Sequence, residues 1–90
     1  ITVKVHDPYY TKDEIKRLTG AETFDFPKGM DEFDAIIIVA DHMQYRSIPA
    51  KEILSNLKNC KLILDNVGIW NDIEFRNIEY HVAGDGGWLN

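Results

Sequence analysis

This chain lacks basic runs, paired cysteines and long apolar stretches. Lys and Arg together number 10 against 15 Asp and Glu, which leaves a net charge of −5. Neutralising nucleic-acid phosphates or docking on an anionic membrane needs the opposite balance. Nucleic acid and membrane are therefore not expected as partners. A single cysteine, Cys60, cannot build an internal disulfide framework, which fits a reducing, cytoplasmic setting. No apolar run approaches the roughly 20 residues of a membrane-spanning helix, and no segment reads as a signal peptide. The chain opens on Ile1 rather than Met, as a processed chain or a fragment would. No repeat, low-complexity segment or linker interrupts it. What the chain does have is 44% hydrophobic and 11% aromatic content, enough apolar surface to offset the entropy of ordering. Ninety residues make one domain, 1–90, with room for a thin sheet and a few helices.

Ile1, Val3 and Val5 alternate with Thr2, Lys4 and His6, the period-2 pattern of a strand with one buried face. Asp7-Pro8 stops it. Thr11 and Glu14 form a capping box, Tyr10 and Ile15 stand at the positions of a hydrophobic staple, and Gly20 ends a helix expected from about Lys12 to Leu18. Glu22 to Phe26 reads as a weak strand or an irregular connection, closed by Pro27 and Gly29. The β-branched run from Asp34 to Asp41 predicts a strand buried on both faces, as in a parallel sheet. An irregular stretch follows. Pro49 to Lys58 then reads as a helix with Ile53, Leu54 and Leu57 on one face. Lys61 to Asp65 is a second buried strand, "IWNDIEF" has room for one helical turn, and Ile78 to Gly84 is a final strand. The tail "DGGWLN" is too rich in glycine for regular structure. Strands separated by helices call for right-handed crossovers and an α/β layer structure.

In such a sheet the strand C-termini share one edge, where ligands bind. Asp7, Asp41, Asp65 and Asp85 all fall there, so the edge is acidic. These carboxylates are placed either to accept hydrogen bonds from ribose or sugar hydroxyls or to serve as turn and cap residues. A Mg²⁺ phosphotransfer site is disfavoured, because Asp7-Pro8-Tyr9 lacks a second aspartate two residues on and "IEYHVAGD" carries no lysine. Among the histidines, His42 follows Asp41 at the ligand edge, whereas His6 and His81 read as ordinary surface or half-buried residues. Arg46 and Arg76 are the arginines nearest that edge. Trp70 and Trp88 are candidates either for stacking on a ligand or for packing. Cys60 falls at the opposite edge and reads as packing rather than as a nucleophile.

The series "VKVHDPYY", "FDAIIIVADHMQYRSI", "KLILDNVGIW" and "YHVAGDG" resembles the C-terminal, UDP-binding domain of the nucleotide-sugar 6-dehydrogenases, the UDP-glucose and UDP-N-acetylmannosaminuronate dehydrogenase group. The "HDPY" and "DH" forms look closer to the N-acetylmannosamine branch. The resemblance implies a Rossmann-like, mainly parallel sheet of 4–5 strands with flanking helices in three layers. It also implies a parent enzyme that oxidises the C6 alcohol of a UDP-sugar to a carboxylate in two NAD-dependent steps, through a thiohemiacetal on a cysteine of upstream domains. Cys60 has none of that cysteine's motif context, so no catalytic residue and no bound cofactor is expected in this chain; NAD belongs to the parent. UDP-sugar contacts would fall to Asp7, Tyr9, Asp41, His42, Arg46 and Asp65. The implied partners are UDP-sugar, the upstream dehydrogenase domains and further copies of the chain in a homo-oligomer.

Two departures from the family pattern stand out. The family's domain begins with a further strand and helix carrying a UDP-contacting lysine, and that strand is central in its sheet; this chain starts one unit later. The turn after Asp65, which usually carries an arginine directed at UDP, reads Asn66-Val67-Gly68 here. The alternative reading is a non-catalytic dimerisation or interaction module that keeps the fold and has lost nucleotide binding.

Overall fold

Local chemistry sets the first element as expected. In the computed structural model, which describes residues 2–82, helix α1 spans Lys12–Thr19. Thr11 Oγ1 accepts from the Glu14 N–H at 3.2 Å, and Glu14 Oε1 accepts from the Thr11 N–H at 2.8 Å. Gly20 ends the helix in the left-handed region at φ 77°, where an L-residue with a Cβ is strained. Ile15 is the residue this helix buries.

Three strands follow: β1 (Ala35–Ile38), β2 (Leu62–Asp65) and β3 (Glu79–Val82). They form one parallel sheet in the order β1-β2-β3, with Ile38 opposite Asp65 and Asp65 opposite Val82. The connection from β1 to β2 carries α2 (Met43–Arg46) and α3 (Ala50–Ser55). Met30, Ile38, Ile53, Leu57, Cys60, Ile63 and Trp70 form the core. The fold is thus a small α/β structure with a three-stranded parallel sheet among the described residues, where the sequence predicted 4–5 strands.

The missing strands have a physical explanation. Residues 2–6 are extended but make only a single parallel bridge, Lys4 to Glu22, with the Val5 N–H donating to the Glu22 carbonyl at 2.9 Å. A strand needs a ladder, and one bridge does not make one. Val3 is 66% exposed, so the predicted buried face does not form; Ile1 lies outside the described residues. The same bridge is all that remains of the weak strand at Glu22 to Phe26, and Lys28–Glu32 winds into a 3₁₀ helix after it. Lys4 pairs with Glu32 at 2.8 Å, just before β1, and His6 meets Tyr45, just after it. Residues 4–6 therefore run in the same direction as β1 without pairing to it.

β1 is consequently an edge strand. Ile37 is 61% exposed and Val39 73%, which corrects the expectation of burial on both faces: the apolar run has cover only on the Ile38 side. The helix read at Pro49 to Lys58 stops at Ser55, because the Asn56 side chain donates back to the Glu52 carbonyl at 2.9 Å and competes with the helical ladder. "IWNDIEF" forms consecutive turns rather than a helix. The predicted strand end at Gly84, the aspartate at Asp85 and the tail with Trp88 and Leu89 lie outside the described residues.

Candidate functional site

Three segments converge at the C-terminal edge of the sheet: residues 6–10, the α2 segment at 41–46, and the turn at 65–70. Each is held by identifiable bonds. Asp7 Oδ1 accepts from the Tyr9 N–H at 2.8 Å, an Asx-type turn that directs the chain out of the extended segment. His42 Nε2 lies 3.7 Å from the same Asp7 oxygen. The Tyr9 ring meets His42 edge-on at 4.6 Å, and the Tyr45 ring does so at 5.3 Å. His42 is only 8% exposed, and its Nδ1 is buried without a hydrogen-bond partner. A buried, unpartnered ring nitrogen is costly. It marks this corner as one whose polar groups are not all satisfied from within the described residues.

Tyr45 ties the three segments together. Its hydroxyl bonds both His6 Nδ1, at 2.9 Å, and the His6 carbonyl, at 3.1 Å. Its own carbonyl accepts from Trp70 Nε1 at 3.0 Å. Burial, with Asp7 nearby, pushes the Tyr45 phenol up to about 12, so it remains a hydroxyl. Burial also holds the His6 imidazole below its usual value; Asp7 opposes that shift, His42 adds to it and Asp25 opposes it.

Of the two roles left open by the sequence, Asp65 takes that of the turn residue rather than the UDP-sugar contact implied by the resemblance. It is fully buried, and its carboxylate is consumed by the chain itself. Oδ1 accepts from the N–H groups of Val67 at 3.1 Å and Gly68 at 2.7 Å; Oδ2 accepts from the Trp70 N–H at 3.0 Å and the Tyr80 hydroxyl at 2.6 Å. Burial alone would raise its pKa, but the Tyr80 hydroxyl and the three backbone donors outweigh that and hold it below the ordinary value. Gly68, at φ 84°, lets the turn fold back onto the carboxylate. Asp65 thus shapes the ligand edge from beneath and has no oxygen free for a ligand.

Asp41 and Arg46 form an exposed bidentate pair, Nε to Oδ1 at 2.5 Å and Nη2 to Oδ2 at 2.8 Å. The Arg46 hydrogen bonds hold the Asp41 carboxyl below its usual range. Arg76, which the sequence placed near this edge, instead lines a groove of about 680 Å³ at the opposite end, together with Lys58 and Cys60. Trp70 is 3% exposed and packs in the core rather than offering a face to a ligand.

Of the residues read from sequence, the structure brings together Asp7, Tyr9 and His42, sets Asp41 and Arg46 beside them as a pair, and turns Asp65 inward. Sequence reasoning missed Tyr45 and undervalued His6. The available signal was helical spacing: three residues after His42, one turn of α2 brings the Tyr45 ring against His42, and from there its hydroxyl reaches His6. Beside this cluster lies an open cleft of about 310 Å³ whose walls include His6, Asp7, Pro8, Lys12, Phe24 and Gln44.

A dinucleotide pyrophosphate does not fit the one full-length helix start at this edge. The first turn of α1 carries Asp13 and Glu14 and no glycine-rich turn precedes it; the Glu14 carboxylate takes the Thr11 N–H and the Thr11 hydroxyl takes the Glu14 N–H, and two acidic side chains at the helix start repel a phosphate. Among the described residues no helix is long and apolar enough to cross a membrane, and no group of His, Cys, Asp and Glu is arranged to hold a metal ion.

Among curated proteins and solved structures, none matches the chain. The family model described as "UDP-glucose/GDP-mannose dehydrogenase family, UDP binding domain" matches residues 1–72, a stretch that contains all three segments of the ligand edge. The chain therefore belongs to the UDP-glucose/GDP-mannose dehydrogenase family, as a UDP binding domain.

Proposed function

We propose that residues 1–90 form one domain that binds a UDP-sugar as the C-terminal part of an NAD-dependent nucleotide-sugar 6-dehydrogenase, an enzyme that oxidises the sugar alcohol to a uronate. The observation that carries this reading is the family match across residues 1–72, joined to an edge where Asp7, Tyr9, His42 and the Asp41–Arg46 pair lie side by side. Asp7 and Asp41 are placed to accept from ribose or sugar hydroxyls, the exposed Tyr9 ring to pack on the ligand with the buried His42 ring supporting it from behind, and Arg46 to meet a phosphate once Asp41 yields it. Asp65 supports the site by folding the 65–70 turn. The catalytic cysteine and the NAD site belong to upstream domains, and oligomerisation brings further copies of the chain into the assembly. A cytoplasmic enzyme is the setting consistent with a single buried thiol.

An amide chemical-shift titration with UDP, with ADP as control, tests the reading. Shifts specific to UDP at residues 6–10 and 41–46 are the expected result; no shift at millimolar UDP overturns it.

A second reading has its own observation. Val3, Ile37 and Val39 are exposed beside an unpaired β1 edge, and a bare β-branched edge suits strand-to-strand association. On that reading the chain is a non-catalytic interaction module, and the titration is silent while light scattering returns a dimer.

A further inference from the structure

A phenolic hydroxyl has one proton to donate. Tyr45 Oη lies within bonding distance of two groups of His6, the carbonyl oxygen at 3.1 Å and Nδ1 at 2.9 Å. A carbonyl only accepts, so the Tyr45 proton goes to it. His6 Nδ1 must then be the donor to the Tyr45 oxygen. In the neutral ring this fixes the proton on Nδ1 and leaves Nε2 as a bare acceptor. Burial keeps the ring neutral near pH 7. Asp7 and Asp25 pull the other way, and His42 reinforces burial. Among the described residues Nε2 has no hydrogen-bond partner.

His6 also forms part of the wall of the 310 Å³ cleft. The cleft's apolar surfaces, Pro8, Ile15 and Phe24, suit a flat ring, and Lys12, Thr23 and Gln44 bring donors to it. An acceptor-only nitrogen beside such donors is complementary to an imide: a ring N–H flanked by two carbonyls.

We propose that His6 is a specificity-determining residue, held by Tyr45 as the Nδ1–H tautomer so that Nε2 accepts from the imide N–H of a uracil base seated in this cleft. The inference rests on the nucleotide-binding reading above and adds to it which end of the nucleotide the cleft takes. Discrimination follows from the tautomer. A ligand whose imide nitrogen is methylated offers Nε2 no proton and meets it with a methyl group, whereas uracil completes the bond.

The test has two arms on the full 90-residue chain. Long-range ¹H–¹⁵N correlation on the imidazoles at pH 7.5 should find His6 protonated at Nδ1 and bare at Nε2. In Tyr45→Phe the proton should redistribute toward Nε2. A wild-type ring protonated at Nε2 overturns the proposal. In the second arm, UDP and its N3-methyl derivative are titrated into the wild-type chain. UDP should bind at least about tenfold tighter, the value of roughly one hydrogen bond, and the Tyr45→Phe variant should lose most of that preference. Equal affinities overturn the assignment of His6 and leave the UDP reading standing; failure of UDP itself to bind overturns both.

Discussion

The Tyr80 hydroxyl donates to Asp65 Oδ2 at 2.6 Å, linking β3 to the carboxylate at the end of β2. With the three backbone donors of the following turn, the carboxylate accepts four hydrogen bonds in a site closed to solvent. Asp65→Asn turns one acceptor oxygen into a donor facing other donors. It should cost about 2–4 kcal/mol, because a buried group that loses a charged partner bears its full desolvation penalty. Tyr80→Phe removes one bond and should cost about 1–2 kcal/mol. Chemical denaturation of both variants measures this; equal stability to wild type would show the network to be dispensable.

The same carboxylate gives the fold an acid limb. Its folded-state pKa lies below the ordinary 3.8, so the stability it contributes is present above that value and is lost as pH falls through the lower, folded value. A stability-against-pH curve for wild type should slope downward below about pH 4, and the slope should be shallower in Asp65→Asn.

Helix α1, the Gly20 cap, the parallel strands β1 and β2 and the buried Cys60 were legible in the sequence because local rules decide them: a capping box, a left-handed glycine, β-branched runs. The paired state of residues 2–6 was not. Alternation says that a segment can be a strand, but whether it pairs depends on a neighbour, and Lys4 and Val5 have only Glu22. Asp65 shows the corresponding limit at the site. An aspartate ending a strand looks the same in sequence whether its oxygens face a ligand or its own turn; Val67, Gly68 and Trp70 decide that through backbone donors that carry no side-chain signal. His6 and Tyr45 were hidden for a similar reason, since their bond joins residues 39 positions apart.

Strand position governs the cost of core truncation. Ile63 is fully buried on the central strand, and Ile37 is 61% exposed on the edge. Ile63→Ala should lose about 2–5 kcal/mol, and Ile37→Ala about 0.5 kcal/mol or less. Paired denaturation curves distinguish this from two-sided burial of β1, under which both substitutions would be costly.

The capping box makes α1 sensitive at one hydroxyl. Thr11→Ala removes the acceptor for the Glu14 N–H and should destabilise the domain by about 1 kcal/mol. Thr11→Ser keeps the oxygen and should restore most of it, measured as a melting temperature that recovers by roughly 4–8 °C. Failure of serine to rescue would attribute the loss to packing of the threonine methyl instead.

Arg46 separates a surface ion pair from a phosphate contact. Both of its bonds to Asp41 are exposed, and exposed pairs contribute little to folding. Arg46→Ala should therefore leave the melting temperature within about 2 °C of wild type. If the guanidinium turns to a diphosphate when ligand arrives, the same substitution weakens UDP binding by about tenfold or more. Asp41→Asn keeps a carbonyl oxygen that can accept from a ligand hydroxyl while removing the charge that competes for Arg46, so it acts in the opposite direction on affinity, and the salt dependence of UDP binding steepens as the freed cation carries more of the contact. Titrations of both variants at two salt concentrations decide it. Loss of affinity in both would assign Asp41 a direct ligand contact that outweighs its competition for Arg46, and no change in either would remove the pair from the binding edge.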